Sequence, residues 1–226
     1  MDHGPRDPRT ARLEVIGRMT KILLTRHGHV DGIKPERFRG REPLPLTARG
    51  REQAAAVAQR IAGAWHPRKI YTSPMSRCVA TGAAIATACG VQAEIYDDLN
   101  DIDYGAWQFK TFDEAKALNA ALFAAWFATP QFVRFPKGEA LQDLAARAGN
   151  VLRMALERHP DDTVVLVGHD SVNRALLLEL LDQPQSAYWR IAQDPCCLNE
   201  IDIAGGKIAV RRINETCHLE TLAGKA

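Results

Sequence analysis

Nowhere in the 226 residues does an apolar run approach the roughly 20 positions of a membrane-spanning helix, so no membrane partner is expected. Long lysine and arginine runs are missing as well. The net charge of +2 is too mild for a nucleic-acid binder, so any basic function must be local. The five cysteines are odd in number and include no CxxC pair of the kind zinc sites use, and adjacent Cys196 and Cys197 could close only a strained disulfide. Reduced thiols and a cytoplasmic location are therefore expected. Internal repeats and low-complexity segments are also lacking, which sets aside repeat architectures.

What remains is an ordinary globular composition, 46% hydrophobic and 25% charged, long enough for one sizeable core. The first 18 residues carry charges and prolines but no apolar signal segment, and their Asp and Glu argue against a transit peptide. Met19 directly precedes the first strand-like run. Residues 1–18 are thus expected to be a disordered extension, and 19–226 a single domain.

Strand-like and helix-like segments alternate along that domain. KILLT (21–25) is followed by a segment in which Ala54, Val57, Ala58 and Ile61 fall on one helical face. KIYTS (69–73) precedes a helix over about 76–89 that Gly90 can end, and QAEIY (92–96) reads as a further strand. Thr111 and Glu114 have capping-box spacing, so a helix begins there; with Pro130 and Pro136 behind it, about 110–136 reads as a helical insertion. An amphipathic helix over about 139–158 stops at His159-Pro160, and TVVLVGH (163–169) is continuously apolar, as a strand covered on both faces would be. Two alternating runs about Gly205-Gly206 signal a late antiparallel hairpin. The expected fold is α/β, a mostly parallel central sheet with helices on both faces.

In such sheets ligands bind beyond the carboxyl ends of the strands. Three strand-like segments end there in polar residues. The first delivers Arg26 and His27, the second Ser73 and then Arg77, and the third His169 and Asp170. A lone histidine or arginine at a strand end is ordinary, but two of each on one rim suit phosphoryl transfer. Arginine presents a planar fork of donors matched to phosphate oxygens, and a neutral imidazole can attack phosphorus.

In the order LLTRHG, PLTARGREQA, YTSPMSRCVATG, LNDIDYGAWQ and VGHDSVNRALL, these segments resemble the histidine phosphatase superfamily, also called phosphoglycerate mutase-like, over about residues 21–182. The resemblance implies a phosphate pocket with His27 as nucleophile, Arg26 and Arg77 as phosphate clamps, and His169 as a further hydrogen-bond partner. It also implies a small phosphorylated metabolite as substrate, with no metal and no cofactor. A leaving alkoxide needs a proton. Asp101 stands where the small-phosphatase branch usually has a glutamate acid, and Asp170, directly after the second histidine, is the alternative because another branch uses that position. Asp170 could instead cap the following helix, and Asp103 reads as a solvated loop charge.

Departures from the family pattern fall in the loop after RHG, where His29, Val30 and Ile33 replace the usual polar residues. Val30 cannot donate a hydrogen bond. Arg37, Arg39 and Arg41 alternate along that loop and share a face if it is extended, so Arg39, together with His29, is expected to bind substrate. The aromatic residues from Trp107 to Phe135 are expected to pack as core beneath the insertion, although an exposed part of that patch is also a candidate dimer contact. The leading function is a metal-independent phosphomonoesterase acting through phosphohistidine. The alternatives are a phosphoglycerate mutase, a catalytically silent phospho-ligand binder, and a metallohydrolase using His27, His29, His169 and Asp170, whose cation the neighbouring arginines would repel.

Overall fold

The structure is a computed structural model that describes residues 19–33 and 35–223; the expected N-terminal extension lies outside the described residues. Six strands, β1 (Met19–Arg26), β2 (Lys69–Thr72), β3 (Ala93–Ile95), β4 (Thr163–Gly168), β5 (Leu198–Ala204) and β6 (Lys207–Glu215), form one sheet in the order β3-β2-β4-β1-β5-β6. β1, β2, β3 and β4 run parallel. β5 lies antiparallel to β1, and β6 antiparallel to β5, which is the hairpin expected about Gly205-Gly206.

The apolar run of β1 follows from its position. Successive side chains of a strand point to opposite faces. Ile22 and Leu24 therefore enter one hydrophobic core and Leu23 the other. Helices α1 (Ala48–Ala64) and α2 (Ser76–Cys89) cover the Leu23 side, with Ala54, Val57, Ala58 and Ile61 buried as their spacing predicts. Thr47 caps α1 by accepting from Gly50 N at 3.1 Å, and Gly90, at φ 68°, ends α2 in the left-handed region.

The other face is covered by α3 (Phe112–Leu118), α4 (Ala120–Ala128), α5 (Leu141–Arg158) and α6 (Asp170–Leu180); a short α7 (Glu220–Ala223) follows β6. The capping box at Thr111 and Glu114 is present. The helix it opens is short. The chain breaks at Asn119, whose side chain accepts from Leu122 N at 2.9 Å and caps α4 as a new helix. An asparagine bonds its own backbone in extended geometry as readily as it continues a helix, so the pattern alone could not separate the two outcomes. Trp107, Trp126 and Phe135 are fully buried, as core packing requires, whereas Phe132 is 81% exposed. No helix among the described residues is long and apolar enough to cross a membrane, and all five cysteines are unpaired.

Strand register decides where function can sit. Arg26 lies beside Gly168, and Thr72 beside Val167. The carboxyl ends of β1, β4 and β2 are thus level, and whatever follows each strand meets on one rim.

Candidate active site

His27 leaves β1 into a tight loop over the start of α1. A Cβ on Gly28 would come within 2.3 Å of Gly50 O, so only glycine lets the loop lie this close to the helix. Held there, His27 is 1% exposed and its Nδ1 lies 2.7 Å from Gly28 O. A carbonyl only accepts, so Nδ1 carries the hydrogen and Nε2 the lone pair. Burial, reinforced by Arg77, His169 and Arg26, holds the His27 pKa well below the usual imidazole value, so the ring is neutral near pH 7. The ring of His169 stands 5.2 Å away at 63°.

His169 follows β4. Its Nε2 lies 2.8 Å from Ser73 Oγ, and its Nδ1 lies 3.2 Å from Arg77 Nη2. Burial and then Arg77 push its pKa well down as well. In the neutral ring Nδ1 accepts from the guanidinium, and Nε2–H is directed to Ser73.

Arg77, fully buried at the start of α2, joins the pieces. Nε donates to His27 Nε2 at 3.2 Å, Nη1 to Glu42 O at 2.7 Å, and Nη2 to Gly40 O at 2.5 Å and to Asp101 Oδ2 at 3.1 Å. Arg26 donates through Nη1 to Gln193 O at 2.6 Å, and Asn199 holds the Gln193 side chain in place. Its Nε is enclosed and has no acceptor in the protein. A buried guanidinium donor without a partner is costly.

The two candidate acids differ sharply. Asp101 is 3% exposed; Oδ1 accepts from Ile102 N at 2.9 Å and Ser171 Oγ at 2.5 Å, and Oδ2 lies 3.3 Å from His169 Nδ1. Burial raises its pKa despite Arg77 and the Ser171 hydrogen bond. Burial would raise Asp170 too, but Arg26, Arg174 and Arg39 outweigh it and hold that carboxyl below the usual range. Asp170 opens α6 and reaches Arg174 Nη1 at 3.4 Å and Arg39 Nη2 at 4.0 Å. One carboxyl is disposed to carry a proton and the other to stay ionised.

Next to Arg26 lies a cavity of about 230 Å³ lined by Arg39, Arg174 and Asp170 together with Phe112 and Trp189. Larger surface hollows exist, but they share none of the strand-end residues. Of the three loop arginines, Arg39 and Arg37 reach this cavity, although Arg37 spends Nη1 on Phe109 O at 2.9 Å. Arg41 turns away to Glu139 and Asp101 O. His29 is not brought to the cavity; its Nδ1 meets Thr47 Oγ1 at 3.0 Å at the head of α1. Asp103 is a partly exposed loop charge, as expected, and is also engaged: Oδ1 accepts from Gly105 N at 2.8 Å and its carboxylate lies 3.7 Å from Arg41.

Ser171, Glu139 and Arg147 were missed in the sequence. Arg147 had a signal, because it stands three residues after Leu144 and four before Val151, on the buried stripe of α5. Among the described residues, the His, Cys and carboxylate groups spaced to hold a metal are Glu215, Cys217 and His218, none of which stands on the rim formed by the ends of β1, β2 and β4.

Comparison with known proteins identifies the family. Residues 22–216 match the histidine phosphatase superfamily (branch 1). Phosphoserine phosphatase 1 of Hydrogenobacter thermophilus is 30% identical over 89% of this chain and 95% of its own length. A Cronobacter sakazakii protein named "Probable phosphoglycerate mutase GpmB" is 28% identical over 91% of this chain and 97% of its own. The solved structure of Bacillus stearothermophilus YhfR superposes with a TM-score of 0.84 at 27% identity, covering 89% of this chain and all of that one. By that match over residues 22–216, the chain belongs to the histidine phosphatase superfamily, branch 1.

Proposed function

We propose that this phosphomonoester hydrolase works through a phosphohistidine at Nε2 of His27, with Arg26, Arg77 and His169 around the phosphoryl group and Asp101 as general acid. The observation that carries the reading is the state of His27: Nδ1 is committed to Gly28 O at 2.7 Å, and burial beside arginines keeps the ring neutral with its lone pair on Nε2. In the first step Nε2 forms a bond to phosphorus, the bond from phosphorus to the ester oxygen breaks, and Asp101 gives that oxygen its proton. A water then attacks the phosphohistidine, Asp101 recovers a proton from it, and inorganic phosphate leaves with His27 restored. The guanidiniums of Arg26 and Arg77 supply the charge stabilisation that a metal provides elsewhere.

The leaving group occupies the cavity beside Arg26. Its size, about 230 Å³, suits a small metabolite, and Arg39 and Arg174 suit one with a negative charge of its own. The relative named phosphoserine phosphatase supports a substrate of that kind. Five unpaired thiols support a reducing, cytoplasmic setting.

Hydrolysis of p-nitrophenyl phosphate in EDTA, by the wild type and His27→Ala, tests the mechanism when scored beside acid-labile phosphate on the quenched protein. Turnover and label are expected in the wild type only. Turnover that survives in His27→Ala, or that needs a divalent metal, overturns the reading. The mutase reading, favoured by the GpmB relative, requires instead that the label be returned to phosphoglycerate rather than to water.

A further inference from the structure

We infer that Arg147 is a positioning residue for the proton-transfer step, holding the loop that carries Asp101 at the one place from which so short an acid can reach the leaving oxygen. The inference rests on the assignment of Asp101 as the acid.

The acid sits in a segment held by isolated bonds, such as Glu139 N to Asp103 O at 2.9 Å and Ile102 N to Ser171 Oγ at 3.1 Å. After the single turn Asp97–Leu99, residues 100–104 form neither helix nor strand, so no backbone ladder sets their position. One guanidinium gathers three carbonyls at the start of this segment. Arg147 Nη1 donates to Asp98 O at 2.9 Å and Asn100 O at 3.0 Å, and Nη2 reaches Asp101 O at 3.3 Å. The guanidinium is itself locked by a two-pronged pair with Glu139, Nε to Oε1 at 3.0 Å and Nη2 to Oε2 at 2.9 Å. Glu139 also accepts from Asp103 N at 3.0 Å, and Arg41 adds a donor to Asp101 O at 3.1 Å. The acid loop is thus gripped on its carbonyls from one side, while its carboxyl is gripped by Arg77 and Ser171 on the other.

Planar geometry is what makes arginine suited to this task, because five donors in a fixed fork can hold three carbonyls and a carboxylate at once. A lysine at 147 could not. Asp101 is one methylene shorter than the glutamate usual at this place, so its reach has to come from the backbone. Displacements of about 1 Å can cost roughly a hundredfold in rate.

The test separates proton delivery from mere folding by varying the leaving group. Nitrophenolate departs without help, whereas phenolate, with the basicity of a tyrosine side chain (pKa about 10), needs a proton. The measurement is kcat/KM for p-nitrophenyl phosphate and for phenyl phosphate, which are alike in shape, with the wild type, Asp101→Asn, Arg147→Gln and the double variant. Asp101→Asn is expected to lose about a hundredfold on phenyl phosphate and about threefold or less on the nitro compound. Arg147→Gln is expected to lower the phenyl-to-nitrophenyl ratio about tenfold, and the double variant to be no worse than Asp101→Asn, since both changes act through one group. If Arg147→Gln depresses both substrates equally, or its loss multiplies with that of Asp101→Asn, Arg147 is only structural and the inference falls. If Asp101→Asn itself shows no leaving-group preference, the acid assignment falls, and the two failures are told apart. Arg147→Lys is the second variant should Arg147→Gln not fold; a folded lysine protein with the wild-type ratio also overturns the inference.

Discussion

Replacing Asp170 with asparagine separates the two carboxyls of the site. Asp170 faces Arg174 at 3.4 Å and Arg39 at 4.0 Å, with 23% of its side chain exposed. At an effective dielectric of about 20, charges at such separations attract by roughly 4–5 kcal/mol each before desolvation is subtracted. Desolvation offsets much of that, and asparagine keeps the shape and an acceptor, so the net loss expected is about 1–3 kcal/mol. For a chain of this length that corresponds to a fall in Tm of about 3–10 °C at pH 7.

The sign with pH follows from the depressed pKa of Asp170. A carboxyl held below its unfolded value contributes stability that is present in full above about pH 4 and disappears as pH falls through the folded value. The gap in Tm between the wild type and Asp170→Asn is therefore full at pH 7 and closes in acid. Because Asp170 stays ionised, the variant keeps the wild-type ratio of phenyl to p-nitrophenyl phosphate turnover, while kcat/KM drops for both as Arg26 and Arg39 lose their counter-charge. Thermal melts across pH, beside the two-substrate assay, decide the matter. A variant as stable as the wild type at pH 7, or one that loses phenyl phosphate selectively, would refute this division of roles.

Two further outcomes follow from other parts of the molecule. Arg39→Ala is expected to lower kcat/KM for the best anionic substrate at least about tenfold, mainly through KM, because a charge-assisted contact is lost; a change within about twofold in steady-state assays ends its assignment to substrate binding. Gly82→Ala places a Cβ 2.2 Å from Thr72 Cγ2, a stiff side chain only 2% exposed where α2 meets β2. Urea unfolding should show a loss of about 1–3 kcal/mol from overpacking, and an unchanged midpoint would mean the interface yields freely.

Most of the strand-end rim was legible because strand ends are local signals. Apolar runs of four to six residues closing on Arg26-His27, Ser73 and His169-Asp170 place themselves once parallel pairing is inferred, and register brings the ends level. The residues that hold the rim were less legible. Glu139 stands two residues ahead of α5 and reads as helix start, yet it binds Arg41 and Arg147 across 98 and 8 residues of chain. Partners brought together only by tertiary folding leave no periodicity. His29 failed for a related reason: its place directly after RHG suggests the phosphate pocket, but Gly28 lies close against Gly50 and His29 is delivered to Thr47.

The opposite tuning of the two carboxyls comes from how many cations each meets, not from burial, since burial pushes both upward. Asp101 has one guanidinium beside it, and that one is shared among Gly40 O, Glu42 O and His27. Arg26, Arg174 and Arg39 all act on Asp170 and all line the cavity beside it. Ionised Asp170 therefore keeps the cavity's arginines from repelling one another, and in doing so adds a like charge that helps lift Asp101. Burial is the larger cause of that lift, so the proposed acid keeps its proton when Asp170 is neutralised, and the preference among leaving groups stays as it was.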